Sequence, residues 1–359
     1  MRPVYIADTA LLCARGDSPI AVADAMWNGE CRAGQRKIGE RTFPYFGLPF
    51  DETDWMTRAE QAIRQVAGQF GAVAPETPLF IASSSFQIGH FEQGGAPFDL
   101  PQATASFSQQ IAEWMGFSGA RYSFSNACTS GFSALDAARS LIAAGLIDDA
   151  IVLGVELAND STLAGFAAME LLSRTAGRPF DALRDGLVLG EAVAAVRLSA
   201  RPATWRLAGL RTGLDGHSTT GPNPDGSRIA DLMVNCQKDA KLKSGDIELI
   251  KLQAAGSPGT DLAEANALRS VFGQNMPPLI SLKPALGHTL GASGLAELAA
   301  LLACLDADKT PATAGFSKVD PEIALFPMVE RSTEHIERAQ LNLIGFGGGL
   351  ASLIVERQR

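Results

Sequence analysis

Short apolar, β-prone runs alternate along the chain with longer segments that are rich in alanine and leucine and have helical periodicity. The clearest β-prone runs are Pro3 to Ile6, Leu79 to Ala82, Ile151 to Val155 and Leu279 to Leu282. Continuous apolar runs of this length between helical segments are typical of buried strands in an α/β fold. No low-complexity linker or solenoid-length repeat divides the sequence, so we expect one compact body.

A first polar junction follows a predicted strand in the N-terminal half. The β-prone stretch from Arg121 leads through Cys128 to Gly131, and a helix is predicted over Phe132–Ile142 with Gly145 as its stop. A cysteine at the start of a helix lies near unpaired N–H groups and the positive end of the helix dipole, which favours the thiolate. We therefore interpret Cys128 as a candidate nucleophile; the alternative is a small buried cysteine that packs like alanine.

A second polar junction lies in the C-terminal half and contains the histidine best placed for chemistry. His288 follows the predicted strand at Leu279–Leu282 and precedes a glycine-rich turn, whereas His90, His217 and His335 lie in polar segments expected to be solvated. A thiol nucleophile needs such a base or electrostatic partner.

The helix predicted over Leu295–Leu305 is apolar all round except for Glu297. A buried carboxylate is costly unless it is paired, and Lys283 is the candidate partner. The Lys283–Glu297 pair is predicted to orient the His288 ring, the alternative being an exposed glutamate near a helix N-terminus.

A glycine-rich segment, Gly345 to Gly349, precedes a strand predicted over Ser352–Val355. It is either a flexible turn or a loop whose N–H groups reach a developing oxyanion, with Phe346 as a movable plug. The lysine and hydroxyl residue of a phosphate loop are missing.

Composition limits the partners and the cofactors. Of the 359 residues, 46% are hydrophobic, and the net charge of −9 disfavours binding to nucleic acid or to an anionic membrane. The five cysteines lack the spacing of a zinc site or of a disulfide framework, so we expect no metal and no cofactor. The opening stretch has no sustained apolar run, which predicts a cytoplasmic protein without a signal peptide or membrane span.

Taken in order, several segments resemble the β-ketoacyl-acyl carrier protein synthases over nearly the whole chain. They are Asn126-Ala127-Cys128 with its helix, Arg178 to Glu191, Asp261 to Ala265, Ser281 to Pro284 with Gly287 to Gly294, and the terminal glycine loop. The resemblance implies a thiolase-like α/β fold, a duplicated αβαβα layered core with mixed five-stranded sheets, normally dimeric. Residues 1–200 would form the half that carries the cysteine, and residues 201–359 the half that carries the histidine and the glycine loop.

The resemblance also implies roles for the site. Cys128 would accept an acyl group from acyl carrier protein, with the N–H groups of Cys128 and Phe346 as its oxyanion hole. His288, supported by Lys283 and Glu297, would stabilise charge as malonyl-carrier protein decarboxylates and condenses. Ser257 and Thr260, together with Gly347 and Gly348, would contact the substrate and its phosphopantetheine arm.

One departure from the family pattern affects the expected activity. The family's first active-site histidine is replaced by Ala255, in a stretch that looks shortened. The Thr-Asn after the glycine loop becomes Gly349-Leu350, and the region before Cys128 is abbreviated relative to the family pattern. Loss of a donor that acts in the transition state commonly lowers the rate about a hundred- to a thousand-fold.

Two main hypotheses follow. The first is a condensing or acyl-transferring enzyme of fatty acid, polyketide or polyene synthesis that acts on acyl carrier protein as a homodimer or heterodimer. The second is a non-condensing partner that resembles a chain-length factor and pairs with a competent ketosynthase. A cysteine hydrolase of the α/β type is a third, less favoured interpretation, because the residues flanking Cys128 do not form its Gly-x-Cys-x-Gly elbow.

Overall fold

The structure is a computed structural model and describes residues 2–50, 53–94 and 99–358. Thirteen strands and ten α-helices lie within these ranges. The strands are β1 Tyr5–Cys13, β2 Gly34–Ile38, β3 Arg41–Phe46, β4 Leu79–Ala82, β5 Arg121–Phe124, β6 Asp149–Glu156, β7 Leu189–Gly190, β8 Ala192–Ser199, β9 Trp205–Leu214, β10 Leu249–Lys251, β11 Leu279–Ile280, β12 Arg338–Ile344 and β13 Gly349–Arg357. The helices are α1 Pro19–Trp27, α2 Trp55–Ala67, α3 Ile88–Gly94, α4 Leu100–Met115, α5 Ser130–Ala143, α6 Asp160–Ala168, α7 Ser227–Ala240, α8 Pro258–Phe272, α9 Lys283–Leu286 and α10 Ser293–Asp306.

Ten of these strands form one mixed sheet in the order β11-β10-β12-β13-β9-β1-β8-β6-β4-β5. Five come from the N-terminal part of the chain and five from the C-terminal part, and the two sets meet where Tyr5 and Ile6 of β1 pair with Arg206 and Trp205 of β9. Within the N-terminal set, β4 is parallel to β5 and β6, whereas β8 is antiparallel to β1 and β6. Strands β2, β3 and β7 form a separate small sheet.

Helices α5 and α10 pack against each other in the interior, and glycines allow their close approach. A Cβ atom added to Gly131 would lie 3.1 Å from Cγ of Leu295, and one added to Gly294 would lie 2.7 Å from the ring of Phe132. Larger side chains at either position would push the helices apart. Although α10 is apolar almost all round, none of the described helices has both the length and the hydropathy to cross a membrane.

Most predicted elements are present, with different bounds. The predicted strand Leu79–Ala82 is confirmed, and the helix predicted over Phe132–Ile142 extends over Ser130–Ala143. The strand predicted to end at Ile6 continues to Cys13. A β-bulge between Ile6 and Asp8 shifts the register there, and the pairing with β8 continues beyond Asp8.

His90 was expected in a solvated loop over Gly89–Gly95. It instead lies half-buried in helix α3, and Gly95 lies outside the described residues. His217 and His335 are exposed as expected.

Candidate active site

The side chains of Cys128 and His288 meet at the centre of the fold. Sγ of Cys128 lies 3.0 Å from Nε2 of His288, and both residues are buried. Cys128 sits two residues before α5, and His288 sits between α9 and α10. The close packing of α5 on α10 therefore brings together two residues from opposite halves of the chain.

A tight polar turn presents Cys128 to the cavity. The preceding Ala127 has a φ of +47°, a strained left-handed conformation for a residue with a Cβ atom. The hydroxyl of Thr129 donates to the Asn126 carbonyl at 2.8 Å, and the hydroxyl of Ser130 donates to the Ala127 carbonyl at 2.7 Å. The polar residues that flank the cysteine thus satisfy the backbone of its turn.

Backbone and side-chain hydrogen bonds orient His288. Its N–H donates to the carbonyl of Val188 at 2.7 Å, and its own carbonyl accepts from Gly190 at 3.1 Å. Nδ1 lies 2.9 Å from Oγ of Ser293, which in turn accepts from the Thr289 hydroxyl at 3.3 Å. The Ser293 proton is then free to point at Nδ1, which places the ring proton on Nε2, facing the cysteine.

A buried ion cluster lies behind the histidine. The predicted pair of Lys283 and Glu297 is present, and Glu297 is buried, which excludes the exposed alternative. Lys251, which sequence reasoning missed, binds the other oxygen of Glu297 and donates to the Asn342 carbonyl at 3.0 Å. The ring of His288 is held by Ser293, so the ion cluster acts on it through charge rather than by the predicted orienting contact.

Burial determines the charge state of the pair formed by Cys128 and His288. It raises the pKa of the Cys128 thiol to about 11, although the Lys283 charge and the Phe346 N–H act in the opposite direction. Burial and the Lys283 charge together lower the pKa of His288 to about 3. The sequence prediction of a favoured thiolate is therefore wrong for the resting site, because desolvation outweighs the Lys283 charge and the nearby N–H groups. The resting pair is a neutral thiol beside a neutral imidazole.

A small cavity of 30 Å³ adjoins the pair. Its wall includes Ser257 and Thr260, both predicted to bind substrate, and Phe346, whose ring stacks on Phe166 at a centroid distance of 5.2 Å. Ser257 begins helix α8 without capping it through its hydroxyl, so that group remains available to a ligand. A cavity this small has room for a few water molecules and not for an acyl chain, so we expect Phe346 or its loop to move when substrate binds.

Gly347 and Gly348 shape the loop and do not line this cavity. The N–H of Gly347 is occupied, since it donates to the carbonyl of Thr219 at 2.8 Å. Gly348 has a φ of +78°, and a Cβ atom there would lie 1.8 Å from the carbonyl oxygen of Asp215. In this structure the two glycines hold Phe346 over the site, and their contact with substrate stays a prediction.

Ala255 lies in the cavity wall and offers no polar side chain where the family resemblance leads us to expect histidine. The backbone of this stretch is rigidly held from helix α8. Asp261 accepts from the N–H groups of Ala255 and Gly256, at 3.2 Å each. Two further residues of the wall that sequence reasoning missed are Gln253 and Thr220.

A second buried carboxylate, Glu156 at the end of β6, joins the two halves near the site. It accepts from the N–H of Gly291 at 2.9 Å and from the N–H of Ser84 at 2.9 Å. The hydroxyls of Ser84 and Ser85 also donate hydrogen bonds to the Glu156 carboxylate. Burial raises the pKa of Glu156. The sequence gives no local signal for this contact, because its partners are far apart along the chain.

Two domain models of one family match the chain in order. The β-ketoacyl synthase N-terminal domain matches residues 73–202, and the C-terminal domain matches residues 206–317. The 3-oxoacyl-acyl-carrier-protein synthase 2 of Mycobacterium tuberculosis is 34% identical over 240 residues, which are 62% of this chain and 58% of that protein. The protein of the same name from Vibrio cholerae is 29% identical over 283 residues, 73% of this chain and 68% of that one. The chain thus matches about 58% of the length of the mycobacterial relative.

Solved structures give the same fold. A ketosynthase in complex with its chain length factor from Xenorhabdus doucetiae has a TM-score of 0.89 at 23% identity, over 99% of this chain and 98% of that one. A β-ketoacyl synthase from Burkholderia phymatum has a TM-score of 0.84 at 24% identity, over 100% of both chains. The expected α/β thiolase-like fold of the ketosynthases is confirmed. The chain belongs to the β-ketoacyl synthase family.

Proposed function

We propose that this protein accepts an acyl group on Cys128 from acyl carrier protein and condenses it with malonyl-carrier protein, in fatty acid, polyketide or polyene synthesis. The observation that carries the proposal is the 3.0 Å contact between Cys128 Sγ and His288 Nε2 beside a small cavity. A thiol nucleophile with an imidazole N–H within hydrogen-bond reach is suited to acyl transfer, because the N–H stabilises the negative charge on sulfur as the thiol is deprotonated.

In the first step, Sγ of Cys128 attacks the carbonyl carbon of the carrier thioester. The Nε2–H of His288 donates to the attacking sulfur, and the thiol proton goes to the departing pantetheine sulfur, so one thioester replaces another. The negative charge on the carbonyl oxygen is stabilised by the N–H groups of Cys128 and Phe346. Both N–H groups lower the pKa of the Cys128 thiol, which supports their position around the sulfur.

In the second step, malonyl-carrier protein loses carbon dioxide and its carbanion attacks the acyl-Cys128 carbonyl. A carbon–carbon bond forms, and the Cys128 sulfur leaves and regains a proton. A neutral His288 with its proton on Nε2 donates to the enolate oxygen of the malonyl unit while the negative charge is there. The low pKa of His288 supports this role as a donor that stays neutral.

Ser257 and Thr260, at the start of α8, are proposed to bind the pantetheine arm. Both line the cavity on the side of the shortened stretch, and both carry hydroxyls suited to amide groups. With fewer hydroxyls than the family pattern, the arm would be held less tightly than in typical members.

Strand β5, at one edge of the ten-stranded sheet, supports a dimer. It pairs with β4 along one edge, and its side chains Arg121, Tyr122 and Ser123 are exposed. An exposed sheet edge is a template for pairing with another chain, and β5 leads within four residues to Cys128. We propose that a second subunit, either a copy of this chain or another ketosynthase, covers this edge.

A partner role like that of a chain-length factor is the second candidate. Ala255 favours this role, because competent family members have a histidine at this position. Two similar solved structures, each of a ketosynthase with its chain length factor, also favour it. In that case the chain would shape the product tunnel of a competent partner, and Cys128 would not carry the growing chain.

The experiment is product analysis with acyl- and malonyl-carrier protein, using the chain alone and after co-expression with a competent ketosynthase. Elongation by the chain alone that is lost in Cys128→Ala supports the enzyme. Elongation only with the partner that persists in Cys128→Ala supports the partner role.

A further inference from the structure

Gln253 has a buried polar atom in the cavity wall that is left without a hydrogen bond. The residue is 4% exposed and lines the same cavity as Cys128 and His288. Its Oε1 finds no partner among the residues that the structure describes. Because a buried amide oxygen without a partner is destabilising, such a group calls for an explanation.

The backbone around Gln253 is firmly anchored, so the unpaired amide is not the result of a loose loop. The N–H groups of Gln253 and Ala254 each donate to Glu264 at 2.8 Å. Glu264 is buried on helix α8, which also carries Asp261 and its two contacts to the same stretch. Two helix carboxylates therefore fix four consecutive backbone N–H groups, so the backbone that carries the Gln253 side chain is positioned before any ligand arrives.

A carboxamide offers an acceptor and two donors, and rotation of the amide exchanges their positions. At Ala255 the neighbouring wall contributes only a methyl group. We infer that the carboxamide of Gln253, turned so that Nε2 takes the unpaired position of Oε1, donates to the carbonyl or carboxylate oxygen of the malonyl thioester, in the same cavity wall as Ala255. This inference rests on the proposed function of the same cavity.

A ligand-binding role predicts opposite effects on stability and on affinity. Gln253→Met keeps the length of the side chain and removes its hydrogen-bonding groups. The thermal midpoint of the free protein should stay the same or rise, because an unpaired buried amide is removed. The affinity for a malonyl-pantetheine analogue with CH2 in place of the thioester sulfur should fall about ten-fold. A merely structural glutamine would lower the midpoint and leave the affinity unchanged.

Calorimetric titration of the full chain with this analogue provides the test, with Gln253→Leu as a second variant should Gln253→Met fail to fold. The inference is overturned if the wild type does not bind the analogue, or if both variants bind it as the wild type does. Acylation of Cys128 by an acyl-carrier thioester is measured in parallel. Binding that depends on Gln253 without acylation would overturn the proposed enzyme and leave this inference standing.

Discussion

Nε2 of His288 lies 3.0 Å from Sγ of Cys128, although 160 residues separate them in the chain. The contact joins two groups that burial keeps neutral, since the pKa of the thiol is raised to about 11 and that of the ring is lowered to about 3. The site therefore rests as a thiol and an imidazole, and charge develops only when a thioester is attacked. Several measurements follow from this relationship.

The alkylation rate of Cys128 is expected to rise with pH. Only the thiolate reacts, and with a pKa of about 11 its fraction increases about ten-fold per pH unit from pH 7 to pH 10. Peptide mass spectrometry after timed treatment with iodoacetamide measures this rate, and the exposed Cys31 reports on the reagent in the same sample.

A pre-formed thiolate–imidazolium ion pair would give a different profile. The rate at Cys128 would then be nearly constant between pH 6 and pH 9, and that result would contradict the neutral pair. Lys283→Met serves as the matched variant, because the Lys283 charge lowers the pKa of the thiol. Alkylation in this variant should be slower than in the wild type at every pH below 10.

The buried ion cluster predicts an order of stabilities. Glu297→Gln leaves the ammonium groups of Lys251 and Lys283 buried without their counterion, and should lower the free energy of unfolding by about 3–5 kcal/mol. Lys283→Met leaves Glu297 paired with Lys251, so a smaller loss of roughly 1–3 kcal/mol is expected. Urea titrations of the two variants give the order, and a larger loss in Lys283→Met would refute this account of the cluster.

Two neighbouring glycines predict unequal effects of the same substitution. Gly347 and Gly348 have φ angles of +73° and +78°, so alanine is strained at both. At Gly348 the new Cβ would also meet the Asp215 carbonyl at 1.8 Å, whereas at Gly347 it meets nothing within 4 Å. Gly347→Ala should cost about 1 kcal/mol and Gly348→Ala roughly 3 kcal/mol or more, as measured by thermal unfolding. Equal losses would mean that the loop is not fixed by Asp215.

The sequence predicts the main features of the fold because its signals are local. The apolar run of β4 and the helical period of α5 and α10 are complete within single segments, and glycines mark the close approaches. Cys128 and His288 stand out for a similar reason, since each follows a predicted strand and precedes a helix.

Contacts between residues that are far apart in the chain have no local sequence signal. Lys251 reaches Glu297 across 46 residues, and Glu156 reaches Gly291 across 135. The unpaired amide of Gln253 becomes visible only when every neighbour is in place. The sequence predicts a lowered pKa for the Cys128 thiol, whereas the structure raises it. The helix start beside Cys128 is evident from the sequence, but the depth of its burial is not.

The intact mass of the purified chain after incubation with an acyl-carrier protein thioester tests the central claim most directly. The account predicts a mass increase of one acyl group that maps to Cys128, is absent in Cys128→Ala and is slowed in His288→Ala. No acyl group on Cys128, or unchanged acylation in Cys128→Ala, would contradict it.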